Sequence, residues 1–309
     1  MENIFILGCG YLGFSLAHFF NDKNHNVTVL GFENDYSKRL NTEIKFFNTR
    51  FTNLDELNQF NFTNAIIVNA LGTINAKNKI DDIIADISFY ETICNLHLYL
   101  SEYNIKRIFF ISSGGTIYGN TIEDMVDENT KENPTNIYGL QRLFIEHFIK
   151  INNIENKIPY TIFRLANPYG GYQLLNKNQG IIPILINNIL NNKHMDFWVP
   201  LHLQKDYINI LDCCRAFEHA ICNNNMINET YNLGSGTSIS LLDLITKVED
   251  ATCKKLNYSN NFNDNDVFNN YSLDVSKLSN AGFKSIIDLD FGINEEIKRI
   301  RSTNYINQL

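Results

Sequence analysis

Residues 4–13 read IFILGCGYLG. The opening IFIL is a short, continuously apolar run, the pattern of a strand buried on both faces. The chain then turns through Gly8, Gly10 and Gly13 into YLGFSLAHFFND at 11–22, whose apolar spacing is helical. Gly8 permits a tight turn, Gly10 lets backbone approach a pyrophosphate, and Gly13 lets the helix pack closely on the strand. Tyr11 and Leu12 fall between them at the helix start, where free N–H groups and the helix dipole favour an anion. A G-x-G-x-x-G alone is a weak signal, but between a strand and a helix it reads as a dinucleotide-binding turn.

The segments that follow keep the same rhythm. NVTVL (26–30), IKFF (44–47), AIIVNAL (65–71), RIFFIS (107–112) and YTIFRLA (160–166) are predicted strands, with helices at about 82–104 and 138–151. Apolar strands alternating with helices predict an α/β fold, a Rossmann-type doubly wound parallel sheet. After Asn167 the rhythm breaks. GIIPILINNIL (180–190), SLLDLITKVEDAT (240–252) and GINEEIKRIR (292–301) are predicted helices, and DYINIL (206–211) and TYNLG (230–234) strands. Residues 1–167 are therefore expected to form the dinucleotide-binding domain. Residues 168–309 are expected to form a smaller C-terminal α/β substrate lobe, with some segments returning to the sheet.

The 309 residues carry a formal charge of −8, with Lys and Arg scattered rather than clustered, which argues against a nucleic-acid partner. Six cysteines and seven histidines show no ligand spacing, so no metal is expected. The cysteines read as reduced, mostly buried thiols of a cytoplasmic protein. Glu2 stands where a signal peptide would be basic, and no apolar run approaches the ~18 residues of a membrane span. Asparagine-rich stretches such as YSNNFNDND (258–266) read as polar loops, and Trp198 as a packing residue.

Two further stretches carry chemistry, SSGGTIYG (112–119) and YGLQR (138–142). Tyr138 and Arg142 are four apart on a predicted helix and share a face. A phenol is a poor base at neutral pH, and an adjacent cation favours its ionised form. At the second strand, VTVL runs into Gly31, Phe32 and Glu33, with no acid where NAD-binding folds hold the adenosine ribose, and Lys38 and Arg39 follow. NAD is the expected cofactor. NADP stays open, as does a ribose contact from Glu33.

GCGYLG, SSGGTIYG, YGLQR followed by Glu146, RLANPYGG (164–171), QGIIP (179–183), KDYINILDCCRA (205–216), YNLGSG (231–236) and LDVSK (273–277) occur in the order seen in extended short-chain dehydrogenases. Over nearly its whole length the chain resembles the nucleotide-sugar epimerase and dehydratase family that includes UDP-galactose 4-epimerase. The resemblance implies a dinucleotide held on Gly8, Gly10 and Gly13 and lined by Ala70, Leu71 and Gly72. Tyr138 would be the acid or base at the sugar 4-hydroxyl, and Arg142 would hold the nicotinamide ribose and tune Tyr138. Asn167 would contact the sugar nucleotide, and Lys205 its diphosphate.

The chain departs from the family pattern at several positions. Lysine is usual at 142 and arginine at 205. The arginine usual shortly before LDVSK is absent, with NFNDND (261–266) in its place. The usual hydroxyl position falls on Gly114, so Ser113 is expected to take that role, with Thr116 in reserve. The implied activity is a UDP-hexose or UDP-N-acetylhexosamine 4-epimerase serving polysaccharide synthesis. An NADPH-dependent 4-keto-sugar reductase and a non-catalytic binding protein of the same fold are alternatives. The family's helix-bundle homodimer would use Ile83, Ile87, Tyr90, Cys94, Leu143, Phe144, His147 and Phe148.

Overall fold

A computed structural model of the chain describes residues 1–72, 82–121, 123–175, 180–262 and 271–306, with backbone alone at 82–86 and 303–306. Gln179, residues 263–266 of NFNDND and the Ile83 side chain lie outside the described residues. The first half runs β1 (Asn3–Leu7), α1 (Tyr11–Asp22), β2 (Asn26–Gly31), β3 (Lys45–Asn48), β4 (Ile66–Asn69), α2 (Asp82–Ser101), β5 (Arg107–Ser113), β6 (Met125–Val126) and α3 (Ile137–Asn156). It continues with β7 (Tyr160–Leu165), β8 (Asn167–Tyr169), α4 (Ile181–Leu190), β9 (His194–Phe197), β10 (Gln204–Asn209), α5 (Ile210–Cys222) and β11 (Glu229–Leu233). The remainder is β12 (Ser238–Ser240), α6 (Leu241–Thr252), β13 (Asn257–Asn260), β14 (Ser272–Leu273), α7 (Ser276–Asn280) and α8 (Leu289–Ile306).

Seven strands form one sheet in the order β11-β7-β5-β4-β1-β2-β3. β1 pairs in parallel with both β2 and β4, through Ile4↔Val27 and Ile4↔Ile66. The chain thus winds outward from β1 in one direction and from β4 in the other. The turns after these two adjacent strands lie at the topological switch point, where open α/β sheets bind ligands.

By contact the chain divides into two compact units, each discontinuous in sequence. The first comprises Met1–Gly119, Lys131–Arg164 and Phe217–Tyr231, and the second Asn120–Thr130, Leu165–Ala216 and Asn232–Leu309. In the first, Phe5, Leu7 and Leu30 pack with Phe62, Leu96, Leu100 and Ile108. In the second, Ile182, Leu185, Ile186 and Ile189 of α4 meet Leu244, Ile245 and Val248 of α6 and Ile293, Ile297 and Ile300 of α8. The i, i+3, i+4, i+7 spacing on α4 is what brings its buried stripe to one face. Each such fully buried aliphatic side chain contributes roughly 2 kcal/mol.

A buried ion cluster ties the first unit together. Arg164 donates from Nε and Nη2 to Glu146 (3.2 and 2.9 Å), from Nη1 to the Tyr118 hydroxyl (3.1 Å) and from Nη2 to Glu132. Burial opposes the guanidinium charge, but Glu146 and Tyr118 outweigh it and raise the Arg164 pKa.

Two predicted strands end two residues early. AIIVNAL stops at Asn69 because that side chain accepts the Leu71 N–H (3.1 Å). DYINIL stops at Asn209, whose side chain accepts the Leu211 N–H (3.0 Å), and Ile210 and Leu211 open α5 instead. A run of β-branched residues hides that switch. The cysteines also differ from expectation: Cys9, Cys213 and Cys214 are buried, while Cys222 and Cys253 are exposed.

Candidate active site

The glycines of the first turn have distinct roles. Gly8 has φ +98°, and a Cβ there would sit 3.0 Å from the Ala70 carbonyl oxygen. A Cβ on Gly13 would lie 2.0 Å from the Gly8 oxygen, so any side chain would push α1 off the strand. At Gly10, which precedes Tyr11 and caps α1, a Cβ would meet nothing within 4 Å, and the first turn of α1 has no acidic residue. Open space at the positive end of a helix suits a phosphate group. Burial pushes the Cys9 thiol up to about 12, which keeps it protonated and unreactive.

The loop after β2 is tied to this turn. The Gly8 N–H donates to the Leu30 oxygen (2.7 Å), and a Cβ on Gly31 would be 3.4 Å from the Cys9 nitrogen. Asn34 accepts the Tyr36 and Ser37 N–H groups on Oδ1 and donates from Nδ2 to the Cys9 oxygen (3.1 Å). Next to it, Glu33 and Lys38 form an exposed ion pair at 3.1 Å.

The turn after β4 carries Ala70, Leu71 and Gly72. Its geometry starts at Asn69, which donates from Nδ2 to Nε2 of the fully buried His97 (3.0 Å) and accepts the Leu71 N–H on Oδ1. The Leu71 carbonyl in turn accepts from Arg142 Nη1 (2.9 Å), which also reaches the Ile111 carbonyl (3.4 Å). Arg142 Nη2 donates to Gln141 Oε1 (3.1 Å). A Cβ on Gly72 would lie only 2.3 Å from that Nη2. Arg142 is 4% exposed, and its guanidinium carbon lies 5.0 Å from the centre of the Tyr138 ring and 5.7 Å from that of Phe110. Both Nη atoms are thus bound to protein, and Nε has no hydrogen-bond partner among the described residues.

Asn136 fixes where α3 begins: its side chain accepts the Gly139 N–H (2.8 Å), which puts Tyr138 in the first turn. A Cβ on Gly139 would come within 2.7 Å of the Thr116 carbonyl oxygen, so glycine lets that turn lie against the 113–116 loop. The Ser113 carbonyl accepts the Ile117 N–H (3.2 Å) within that loop. The buried hydroxyls of Ser112 and Thr116 have no partner among the described residues.

Gly8 to Gly13, Ala70 to Gly72, Ser113, Thr116, Tyr138 and Arg142 thus all belong to the first unit, while Asn167 and Lys205 belong to the second. There β8 and β10 pair in parallel with Asn167 opposite Tyr207, and Asn167 Nδ2 donates to the Asp206 oxygen (2.8 Å). Burial lowers the Lys205 pKa to about 8. It raises that of Asp206, against the bonds its carboxylate accepts from Ser235 and Gly236. Trp198 is 67% exposed, not packed.

Sequence reading missed Asn69, His97, Gln141 and Asp206. Asn69 beside Ala70 in AIIVNAL, Gln141 beside Arg142 in YGLQR and Asp206 beside Lys205 in KDYINILDCCRA each stand next to an expected site residue, whereas nothing in the sequence pattern points to His97. Among the described residues no helix is long and apolar enough to cross a membrane, and no group of three or more His, Cys, Asp and Glu could hold a metal ion.

The open space at Gly10, an α1 first turn without an acidic residue, and the polar atoms of Thr116 and Arg142 that lack a partner among the described residues fit a dinucleotide. The fold and these parts define a dinucleotide-binding α/β protein with a tyrosine–cation pair. The model of the NAD dependent epimerase/dehydratase family matches residues 4–234, and the chain belongs to that family. It is 29% identical over 303 residues to the "Putative UDP-glucose 4-epimerase" of Methanocaldococcus jannaschii, covering 96% of this chain and 97% of that one. It is 30% identical over 228 residues to a dTDP-4-dehydro-6-deoxyglucose reductase of Escherichia coli, covering 73% and 69%. The crystal structure of UDP-glucose 4-epimerase from Thermus thermophilus, complexed with NAD, superposes with a TM-score of 0.88 at 18% identity, over 97% of this chain and 99% of that one. That likeness is one of fold.

Proposed function

We propose that the chain is an NAD-dependent nucleotide-sugar 4-epimerase, acting on a UDP-hexose or UDP-N-acetylhexosamine in a polysaccharide pathway. The observation that carries this reading is the Arg142 guanidinium seated 5.0 Å over the Tyr138 ring, held by the carbonyls of Leu71 and Ile111. When bound, the dinucleotide supplies a reversible hydride acceptor for the sugar C4. Gly8, Gly10, Tyr11, Leu12 and Gly13 hold its diphosphate, and Ala70, Leu71 and Gly72 line it. Tyr138 takes the proton from the 4-hydroxyl and returns it. The fixed charge of Arg142 stabilises the negative charge that develops on the phenol oxygen. Ser113 or Thr116 hydrogen-bonds the sugar oxygen, and the unpartnered Thr116 hydroxyl favours Thr116. Asn167 and Lys205 meet the nucleotide sugar and its diphosphate. In this reading the first unit serves the cofactor and the second, which holds Asn167 and Lys205, serves the substrate.

The protein works as a cytoplasmic homodimer in this reading. Leu140, Phe144, Ile151 and Ile154 of α3, with Ile87 and Leu98 of α2, are exposed. His147 completes a 4-3-4-3 spacing on α3, the seam of a helix bundle. A second reading, an NADPH-dependent 4-keto-sugar reductase, is favoured by Gly31 in place of an acid and by the similarity to the E. coli reductase.

The test is to purify the protein without added cofactor, denature it and quantify the dinucleotide released, then follow UDP-glucose and UDP-N-acetylglucosamine for conversion at C4. Stoichiometric NAD with interconversion supports the epimerase. Consumption of NADPH by a 4-keto sugar without interconversion supports the reductase. Absence of any dinucleotide, with no later binding of either form, sinks both.

A further inference from the structure

The adenosine end of the proposed dinucleotide site combines three observations. β2 ends in Gly31 with no carboxylate, and a Cβ there would sit beside Cys9 and Gly8. The following loop is pinned to the glycine turn by the Asn34 to Cys9 bond (3.1 Å). Flanking that bond, Glu33 and Lys38 are paired at 3.1 Å with both side chains more than half exposed.

An acid at the end of β2 selects for a free ribose 2′-hydroxyl by bonding it and repelling a 2′-phosphate. Here the acid is displaced by two residues and already neutralised by a lysine. An ion pair this exposed adds little to stability, so either partner can leave it at little cost. A phosphate dianion offers Lys38 a stronger charge-assisted bond than Glu33 does.

Resting on the proposed dinucleotide site, we propose that Glu33 and Lys38 are a partner-exchange pair through which the chain takes up both NAD(H) and NADP(H). With a 2′-phosphate, Lys38 leaves Glu33 for the phosphate. With a free 2′-hydroxyl, the pair stays closed and Glu33 turns a carboxylate oxygen to the ribose. Arg39 is exposed on the same turn, and the exposed Asp35 before it carries the opposite charge. Cofactor choice then resides in this pair rather than in the residue ending β2.

The experiment is a fluorescence titration of protein stripped of dinucleotide with NADH and NADPH, for the wild type, Lys38→Gln and Glu33→Gln. A melting curve of each variant checks folding. Wild-type dissociation constants for the two should agree within about tenfold, about 1.4 kcal/mol. Lys38→Gln should lower the NADPH-to-NADH affinity ratio about tenfold, and Glu33→Gln should raise it a few-fold. NADPH binding in the wild type more than about tenfold weaker than NADH, or a Lys38→Gln variant whose ratio is unmoved, overturns the exchange pair and leaves the epimerase reading standing. Failure to bind either dinucleotide overturns both.

Discussion

Arginine at 142 brings a planar fork where the resemblance leads one to expect a lysine, and the surroundings are built for the fork. Nη1 takes the carbonyls of Leu71 and Ile111, Nη2 takes Gln141, and Gly72 leaves the volume that Nη2 fills. A methyl on Gly72 meets a guanidinium that these bonds prevent from moving. Gly72→Ala should therefore lower kcat roughly ten- to a hundredfold, the loss expected of a misplaced catalytic group. Arg142→Lys in the same background should recover part of it, because lysine has no Nη2. Turnover and melting temperature of the four proteins in this double-mutant cycle check the coupling, and strict additivity would contradict it. Tyr138→Phe removes the proton carrier and should lower kcat by about a hundredfold or more with dinucleotide affinity retained. Epimerisation rates and a binding titration on the same preparation separate the two effects. The spacing of Tyr138 and Arg142 was legible in YGLQR. Gly72 and the carbonyls that seat the fork were not, because helical periodicity says nothing about a strand end 71 residues away.

At the scale of elements, α2 is joined to the end of β4 by the His97–Asn69 bond, and through Asn69 to the turn that supports Arg142. Nε2 accepts that bond only while the ring is neutral. Burial lowers the His97 pKa from 6.5 to about 4. The unfolded chain therefore binds the proton first as pH falls. The stabilisation is complete above about pH 6.5 and is lost as pH drops towards 4, to a limit of the order of 3 kcal/mol. Urea unfolding at pH 7 and pH 4.5 should show a larger loss for the wild type than for His97→Gln, which has nothing to titrate there. Equal losses would mean that His97 does not titrate on unfolding. At the other end of the site, Asn136→Ala removes the cap that starts α3 and should cost about 1 kcal/mol, read from the same unfolding curves.

At the scale of the whole molecule, the exposed apolar stripes of α2 and α3 are the basis of the proposed dimer. A row such as Leu140, Phe144, Ile151 and Ile154 is costly to leave in water. Phe144→Glu with Ile151→Glu should give a monomer in sedimentation velocity where the wild type is a dimer. Both side chains are exposed within one chain, so circular dichroism should show the fold intact. A monomeric wild type at micromolar concentration would remove the dimer from the proposal.

What the sequence by itself determined is what short-range chemistry dictates. IFIL followed by spaced glycines could only be a buried strand turning into a helix, and the repeat of that unit implied a parallel sheet. A spacing of four put Tyr138 and Arg142 on one helix face. The strand ends at Asn69 and Asn209 escaped because a side chain capping its own backbone outweighs β propensity without altering the apolar pattern. Tertiary structure alone decided that the Arg142 fork is consumed by backbone carbonyls and Gln141, and that Thr116 keeps a buried hydroxyl without a partner among the described residues. Those outcomes depend on hydrogen-bond partners and excluded volume supplied by chain-remote residues, and only the folded sheet with its covering helices brings them within bonding distance.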